Sequence, residues 1–183
     1  MKVLAFSGSL RTGSWNTKLL ALAVDGLRAR GVTVDVWDFR AAKVPVYDPD
    51  TSDAHPWPAV LDVKERIRAA KGLVIVSPEY NYSIPGALKN LLDYVSRPPK
   101  DSPFRGKLAG QLGATSGPGG TLQGQVMLRH VLSGLGMTSV AGAFTLSRAA
   151  EAFDEAGQLK DAAQRASLDG FLDRYVAELK LRP

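Results

Sequence analysis

From Gly72 to Arg97 the chain reads GLVIVSPEYNYSIPGALKNLLDYVSR, and this stretch constrains the fold more than any other. Leu73-Val74-Ile75-Val76 is an unbroken apolar run, the pattern of a strand buried on both faces. Further on, Leu88, Leu91, Leu92 and Val95 recur at helical spacing, with Lys89, Asn90 and Asp93 between them. The join, Ser77 to Ser83, is polar and aromatic. In open parallel sheets ligands bind at the carboxyl ends of the strands, so this loop is expected to form one wall of a site for a flat, partly apolar ligand.

The remaining chain supplies neighbours for that strand. Lys2 to Phe6 reads as a first strand, followed by the small-residue loop Ser7 to Thr17 and a helix carrying Leu19, Leu20, Ala23 and Leu27, which Gly31 ends. Val32, Val34 and Val36 alternate as a second strand. Strand, loop, helix and strand in that order make a βαβ unit, which implies a parallel sheet. Ala41 to Trp57, with Pro45, Pro49 and Pro56, reads as a crossing loop, and a helix with Val60, Val63, Ile67 and Ala70 inward starts near Pro58. Pro85 belongs to the first turn of the helix after the third strand, and Pro98-Pro99 closes it.

A Gly-interrupted fourth strand is expected over Lys107–Ala114, a second small-residue loop over Thr115–Gly120, and a helix over Leu122–Leu135 with Val126, Val131, Leu132 and Leu135 apolar. Thr138 to Phe144 gives a fifth strand and Asp161 to Leu181 a final amphipathic helix. Five strands alternating with five helices predict one α/β domain over residues 1–183, a flavodoxin-like three-layer sandwich with a five-stranded parallel sheet of order 2-1-3-4-5.

Composition removes several chemistries. The 183 residues include no cysteine, which excludes disulfides, thiolate metal sites and a cysteine nucleophile. The apolar stretch at the N-terminus stops at Ser7, too short for a signal peptide, and no run approaches the roughly eighteen residues of a membrane helix. A cytoplasmic protein is expected. The net charge of +5 is scattered along helices without a nucleic-acid motif, so no nucleic-acid or membrane partner is expected. His55 and His130 lack a second ligand at metal spacing, and Ser116 is not in a nucleophile elbow.

The loop Ser7 to Thr17 lies between a strand and a helix N-terminus, a place that favours anions. Ser9, Ser14, Asn16 and Thr17 add polar donors and Arg11 a forked cation, a set suited to one phosphate monoester. Simple helix capping is the alternative. Neither the Lys-Ser/Thr ending of a nucleotide P-loop nor G-x-G-x-x-G is present. In the order 2-1-3-4-5 the loops after strands one, three and four converge. The first suits a phosphate, the second offers Pro78 and tyrosines to a ring, and the third, Thr115 to Gly120, lets backbone approach closely. Together they describe FMN.

The chain resembles the NADPH-dependent FMN reductase family of flavodoxin-like proteins, which includes chromate, quinone and azo reductases. The residues that carry the likeness are Gly8-Ser9-Leu10-Arg11 with Ser14 and Asn16, and Pro78-Glu79-Tyr80-Asn81-Tyr82-Ser83 running into Pro85-Gly86 and Leu88-Lys89-Asn90. The resemblance implies that Ser9, Leu10, Arg11, Ser14, Trp15, Asn16 and Thr17 surround the FMN phosphate. It implies that Pro78, Glu79, Tyr80 and Asn81 border the isoalloxazine, largely through backbone, and that Ser116 and Gly117 close the other side. It further implies NADPH or NADH as co-substrate, ping-pong transfer to a quinone, azo compound, chromate or free flavin, no protein acid–base residue, and a homodimer or homotetramer. A flavodoxin-type electron carrier or redox-responsive binding protein is the alternative, opposed by the positive net charge. A flavin-free phosphate-binding hydrolase or transferase is a further one.

Overall fold

The structure is a computed structural model and describes residues 1–53 and 55–182. Its sheet contains β1 (Lys2–Ser7), β2 (Thr33–Val36), β3 (Gly72–Val76), β4 (Leu108–Ala114) and β5 (Thr138–Ser139), all parallel, in the order β2-β1-β3-β4-β5. A sixth short strand, β6 (Phe144–Leu146), also pairs with β4. The expected order is therefore found.

Side-chain alternation along the strands divides the core in two. Val3, Ala5, Val74, Val76 and Leu112 face one layer, formed by α1 (Trp15–Ala29) and by a long C-terminal helix over Ala162–Lys180. Leu4, Phe6, Leu73, Ile75 and Ala109 face the opposite layer. The short turns α2 (Phe39–Ala42) and α3 (Pro49–Ser52) precede that layer's helices, α4 (Pro58–Ala69), α5 (Gly86–Val95) and α6 (Leu122–Gly134). A last single turn, α7 (Ala149–Ala152), leads to the C-terminal helix, α8. Every residue of β3 is buried, as its apolar run requires.

Gly110 of β4 and Gly72 of β3 share a packing reason. Tyr175 of α8 is fully buried, and its hydroxyl donates to the Leu73 carbonyl at 3.2 Å. A Cβ at Gly110 would come within 2.9 Å of its ring, and one at Gly72 within 2.6 Å of its hydroxyl. Burial pushes this phenol far above its ordinary pKa, so it stays neutral and serves as a donor. Arg30 fastens α1 to α8 through Asp173 at 2.7 Å and Asp169 at 3.0 Å. Its hydrogen bond holds the Asp173 carboxyl below the usual range.

Three expectations need correction. The helix over α1 begins at Trp15, so Trp15, Asn16 and Thr17 belong to its first turn and Ser14 is its N-cap. The fifth strand does not run from Thr138 to Phe144. It breaks after Ser139, where Gly142 takes φ +74° and Arg129 donates to the carbonyls of Ser139, Val140 and Gly142. Val126 lies exposed on α6, and the buried positions there are Gly124, Gln125, Leu128 and Leu132. Among the described residues no helix is long and apolar enough to cross a membrane.

Candidate functional site

The three loops expected to converge do so because their strands are neighbours. The main-chain ladder continues past the strand ends: Gly8 N–H donates to Val76 O at 2.9 Å and Ser77 N–H to Leu112 O at 2.8 Å. The loop after β4 is rooted the same way, Thr115 N–H reaching Leu146 O at 3.0 Å.

Within the first loop, Ser7, Ser9 and Ser14 each accept a hydrogen bond two residues ahead, from the N–H groups of Ser9, Arg11 and Asn16. These turns wind the chain around the start of α1. Ser9 and Ser14 are buried, while Leu10, Arg11 and Thr17 are exposed. The Arg11 guanidinium donates to Gly13 O at 3.2 Å. Trp15 turns its indole onto Phe153, stacked at 5.9 Å and 7°, with the Lys18 ammonium 4.7 Å above it. Asn16 is buried, and its carboxamide is fully engaged with Ala114 at the end of β4, donating to the carbonyl and accepting from the N–H, both at 2.9 Å. It ties the first loop to the root of the third.

The second loop is a miniature hairpin. Tyr80 and Ser83 exchange both backbone hydrogen bonds, at 2.9 and 3.0 Å, and the two residues between them, Asn81 and Tyr82, have φ of +49° and +64°. Two positive φ values in a two-residue turn give the type I′ arrangement, in which glycine is favoured second and Tyr82 is strained. Pro78 is buried, Glu79 half-buried, and Tyr80 and Tyr82 are 51% and 79% exposed, an aromatic surface beside the sheet's carboxyl edge. Because left-handed backbone disfavours a side chain by about 1–2 kcal/mol, Tyr82→Gly is expected to keep or raise stability. A gain of about 0.5 kcal/mol should remain after glycine's greater unfolded entropy, measurable as a higher urea midpoint.

Glu79 works through its side chain. One carboxylate oxygen accepts from Gly124 N–H at 2.8 Å and so caps the start of α6, for which Thr121 offers no side-chain cap. Gln125, fully buried, donates to Ser77 O at 3.2 Å and Leu112 O at 3.1 Å, while Gln111 donates to the Gln125 carbonyl at 3.0 Å. Gly113 makes room for this polar knot: a Cβ there would sit 2.1 Å from Thr121 Oγ1 and 2.5 Å from both Gln125 Nε2 and Ser77 O. Gln125 and Gly113 were not singled out by the sequence patterns. A glutamine on the inward side of an apolar helix is the only trace they leave there.

In the third loop Ser116 is exposed and Gly117 half-buried. Gly117 N–H bonds to Thr115 Oγ1 at 3.3 Å, and its carbonyl accepts from Arg148 at 3.0 Å. A Cβ on Gly119 would meet nothing within 4 Å. Asn90 of α5 pins the Pro45–Tyr47 segment nearby, accepting from Tyr47 N–H and donating to Pro45 O, both at 2.8 Å.

This donor set fits FMN. A capped helix start beside buried hydroxyls and an exposed guanidinium suits a phosphate, exposed tyrosines suit a ring, and an open glycine loop leaves space opposite them. Among the described residues no group of three or more His, Cys, Asp or Glu is placed to hold a metal ion. The family model for NADPH-dependent FMN reductase matches residues 1–151. The chain belongs to that family.

The NADPH-dependent FMN reductase family assignment agrees with individual relatives. An NAD(P)H-dependent FMN reductase of Pseudomonas aeruginosa is 42% identical over 162 residues, 88% of this chain and 85% of the relative. A quinone reductase of Escherichia coli K12 is 38% identical over 133 residues, 72% of this chain and 69% of the relative. Among solved structures, the flavoenzyme NAD(P)H:(acceptor) oxidoreductase FerB from Paracoccus denitrificans superposes with a TM-score of 0.88 at 28% identity, covering 99% of this chain and 98% of that one.

Proposed function

We propose that the three-loop site holds one FMN and that the protein is an NAD(P)H-dependent oxidoreductase acting on quinones and related small acceptors. The observation that carries this reading is the cross-bracing of a phosphate-suited helix start to a strained, tyrosine-bearing turn through Asn16, Glu79 and Gln125. Such bracing holds the site's shape without any ligand, so binding spends little on ordering loops. FMN, when bound, would supply the chemistry: the two electrons of a hydride accepted from NAD(P)H and passed on, singly or as a pair, to a quinone, azo compound, chromate or free flavin.

The protein's share is binding and orientation. Ser9, Ser14 and Thr17 with Arg11 hold the phosphate, and Leu10 flanks them through the backbone of the loop and Trp15 through the backbone of the first turn of α1. Asn16 sets the gap between the first and third loops. Pro78, Glu79, Tyr80 and Asn81 border one side of the ring, with Ser116 and Gly117 on the other. No side chain needs to move a proton. The exposed Leu122, Val126 and Met127 on α6, beside this site, support assembly as a homodimer or homotetramer. The supply of NAD(P)H is consistent with work in the cytoplasm.

The deciding experiment mixes the purified yellow protein with NADPH under nitrogen. Rapid bleaching of the flavin is expected, followed by recovery on adding a quinone. A flavin that stays oxidised for minutes would leave an electron carrier, and a colourless protein unable to take up FMN would remove the flavin reading altogether. Arg11→Ala is expected to weaken FMN binding by about 1.5 kcal/mol, roughly tenfold in Kd, the low end for a charge-assisted contact because the guanidinium is exposed. Quenching of FMN fluorescence on titration measures it.

A further inference from the structure

At the opposite edge of the sheet from the three loops, a cavity of about 240 Å³ opens where α5 and α6 end. Its wall includes Ser96, Arg97 and Ser102 from the end of α5 onward, Arg105 just before β4, and Ser133 in the last turn of α6. None of its residues belongs to the loops assigned to the flavin, which follow the far ends of β1, β3 and β4. We propose that this cavity binds a phosphate dianion, either free or carried on a molecule of a few carbon atoms.

The charge in this wall is of one sign. Arg97 and Arg105 are exposed and, among the described residues, form no ion pair, yet both border the same cavity. No carboxylate lines it, whereas each of four other cavities includes at least one aspartate or glutamate. The acidic side chains nearest in sequence are committed elsewhere, Asp101 to Arg68 at 2.8 Å and Asp93 to Lys89 at 2.7 Å. Two unpaired guanidiniums beside serine hydroxyls suit a phosphate, whose oxygens accept from their forked donors. Ser96 Oγ already donates to the Asp93 carbonyl at 2.8 Å, but Ser102 Oγ is buried and, among the described residues, has no partner. A buried hydroxyl without a partner is costly, and an oxyanion that accepts from it removes that cost.

The wall is held in place by the fold. Gly106 N–H donates to Gly136 O at 2.9 Å and joins the Arg105 turn to the chain after α6. Gly136, at φ +82°, lies against the Arg105 stem, since a Cβ there would stand 3.4 Å from Arg105 Cγ. The carboxyl ends of α5 and α6 oppose an anion, but together they amount to about one negative charge, against two full positive charges from the arginines. Their carbonyls are also engaged: Leu132 O accepts from Met137 N–H at 3.0 Å and Ser133 O from Gly136 N–H at 2.9 Å. The volume falls below the range of roughly 300–1,000 Å³ usual for drug-sized ligands. It admits a phosphate with a short carbon body and excludes FMN or a dinucleotide.

The test titrates the FMN-loaded protein by calorimetry with inorganic phosphate and with glycerol 3-phosphate, sodium chloride holding the ionic strength constant. Saturable binding is expected, weakened about tenfold in Arg105→Ala and partly restored in Arg105→Lys. Tighter binding of glycerol 3-phosphate assigns the site to a phosphomonoester, and tighter binding of inorganic phosphate assigns it to the free ion. Ser102→Ala should weaken the same binding about threefold without lowering stability in chloride alone, a split that a purely structural serine would not produce. The thermal midpoint of wild type should rise with phosphate by mass action, and that of Arg105→Ala should rise less. Absence of saturable binding by either anion would overturn the proposal, as would equal affinity in wild type and Arg105→Ala. Binding lost in Arg11→Ala and kept in Arg105→Ala would overturn it too, by placing the anion in the first loop. Flavin content is read separately by absorbance, so the fate of this site and that of the flavin reading are told apart.

Discussion

Gly113→Ala is expected to lower stability by about 4 kcal/mol and to abolish FMN retention. The added methyl group has nowhere to go: within 2.5 Å it meets Thr121 Oγ1, Gln125 Nε2 and the Ser77 carbonyl. None of these is the free end of a flexible chain, since all three belong to one buried network. Overpacking alone costs about 1–3 kcal/mol, and pushing Gln125 off its partners strands buried polar groups at about 1–3 kcal/mol more. The movement also displaces Ser77, the residue from which the Pro78–Ser83 turn springs. Gly119→Ala is the matched control. Its Cβ meets no atom within 4 Å, and its cost should stay within about 0.5 kcal/mol. Urea midpoints of the two variants, read beside flavin content after purification, check the contrast.

Asn16→Ala is the second large effect. It deletes two 2.9 Å hydrogen bonds and leaves the Ala114 N–H and C=O facing a buried void. A loss of about 2–4 kcal/mol is expected, together with loss of FMN, because among the described residues no other side chain of α1 hydrogen-bonds to the root of the third loop. Asn16→Asp separates the two bonds. The carboxylate still accepts from Ala114 N–H but opposes the Ala114 carbonyl, and burial raises its pKa above the unfolded value. A raised folded pKa means the penalty is present at neutral pH and is relieved as pH falls, being gone below the unfolded value of about 4. Asn16→Asp should therefore approach wild-type stability in acid while Asn16→Ala should not. Paired urea titrations at neutral and acidic pH measure the difference.

These two residues also mark where sequence reasoning stopped. The layered fold was legible because β3 is apolar throughout and the amphipathic helices declare their inward faces. The first two loops were legible because serines before a helix, and a tyrosine-rich segment after a buried strand, each stand out locally. The Asn16–Ala114 contact spans 98 positions and leaves no local pattern, so Asn16 read as one more polar donor. Gln125 was obscured because apolar periodicity favours Val126, which the structure exposes, over a glutamine whose burial is explained by partners distant in sequence, the Ser77 and Leu112 carbonyls, together with Thr121 Oγ1. The fifth strand looked continuous because its breaking point is stabilised from outside it, by an arginine on α6.

That interruption has a consequence for how this molecule can meet others. The far edge of a parallel sheet normally presents a row of unpaired N–H and C=O groups, a template for strands from other chains. Here the outermost pairing is a two-residue piece, then a gap, then a three-residue piece. Arg129 occupies carbonyls across the gap that an incoming strand would use. The opposite edge, β2, is four residues long and carries Asp35, which Lys2 and Arg66 hold at 3.1 and 2.6 Å. Neither margin offers a long, flat stretch of backbone, so the sheet is protected against edge-to-edge growth into fibrils.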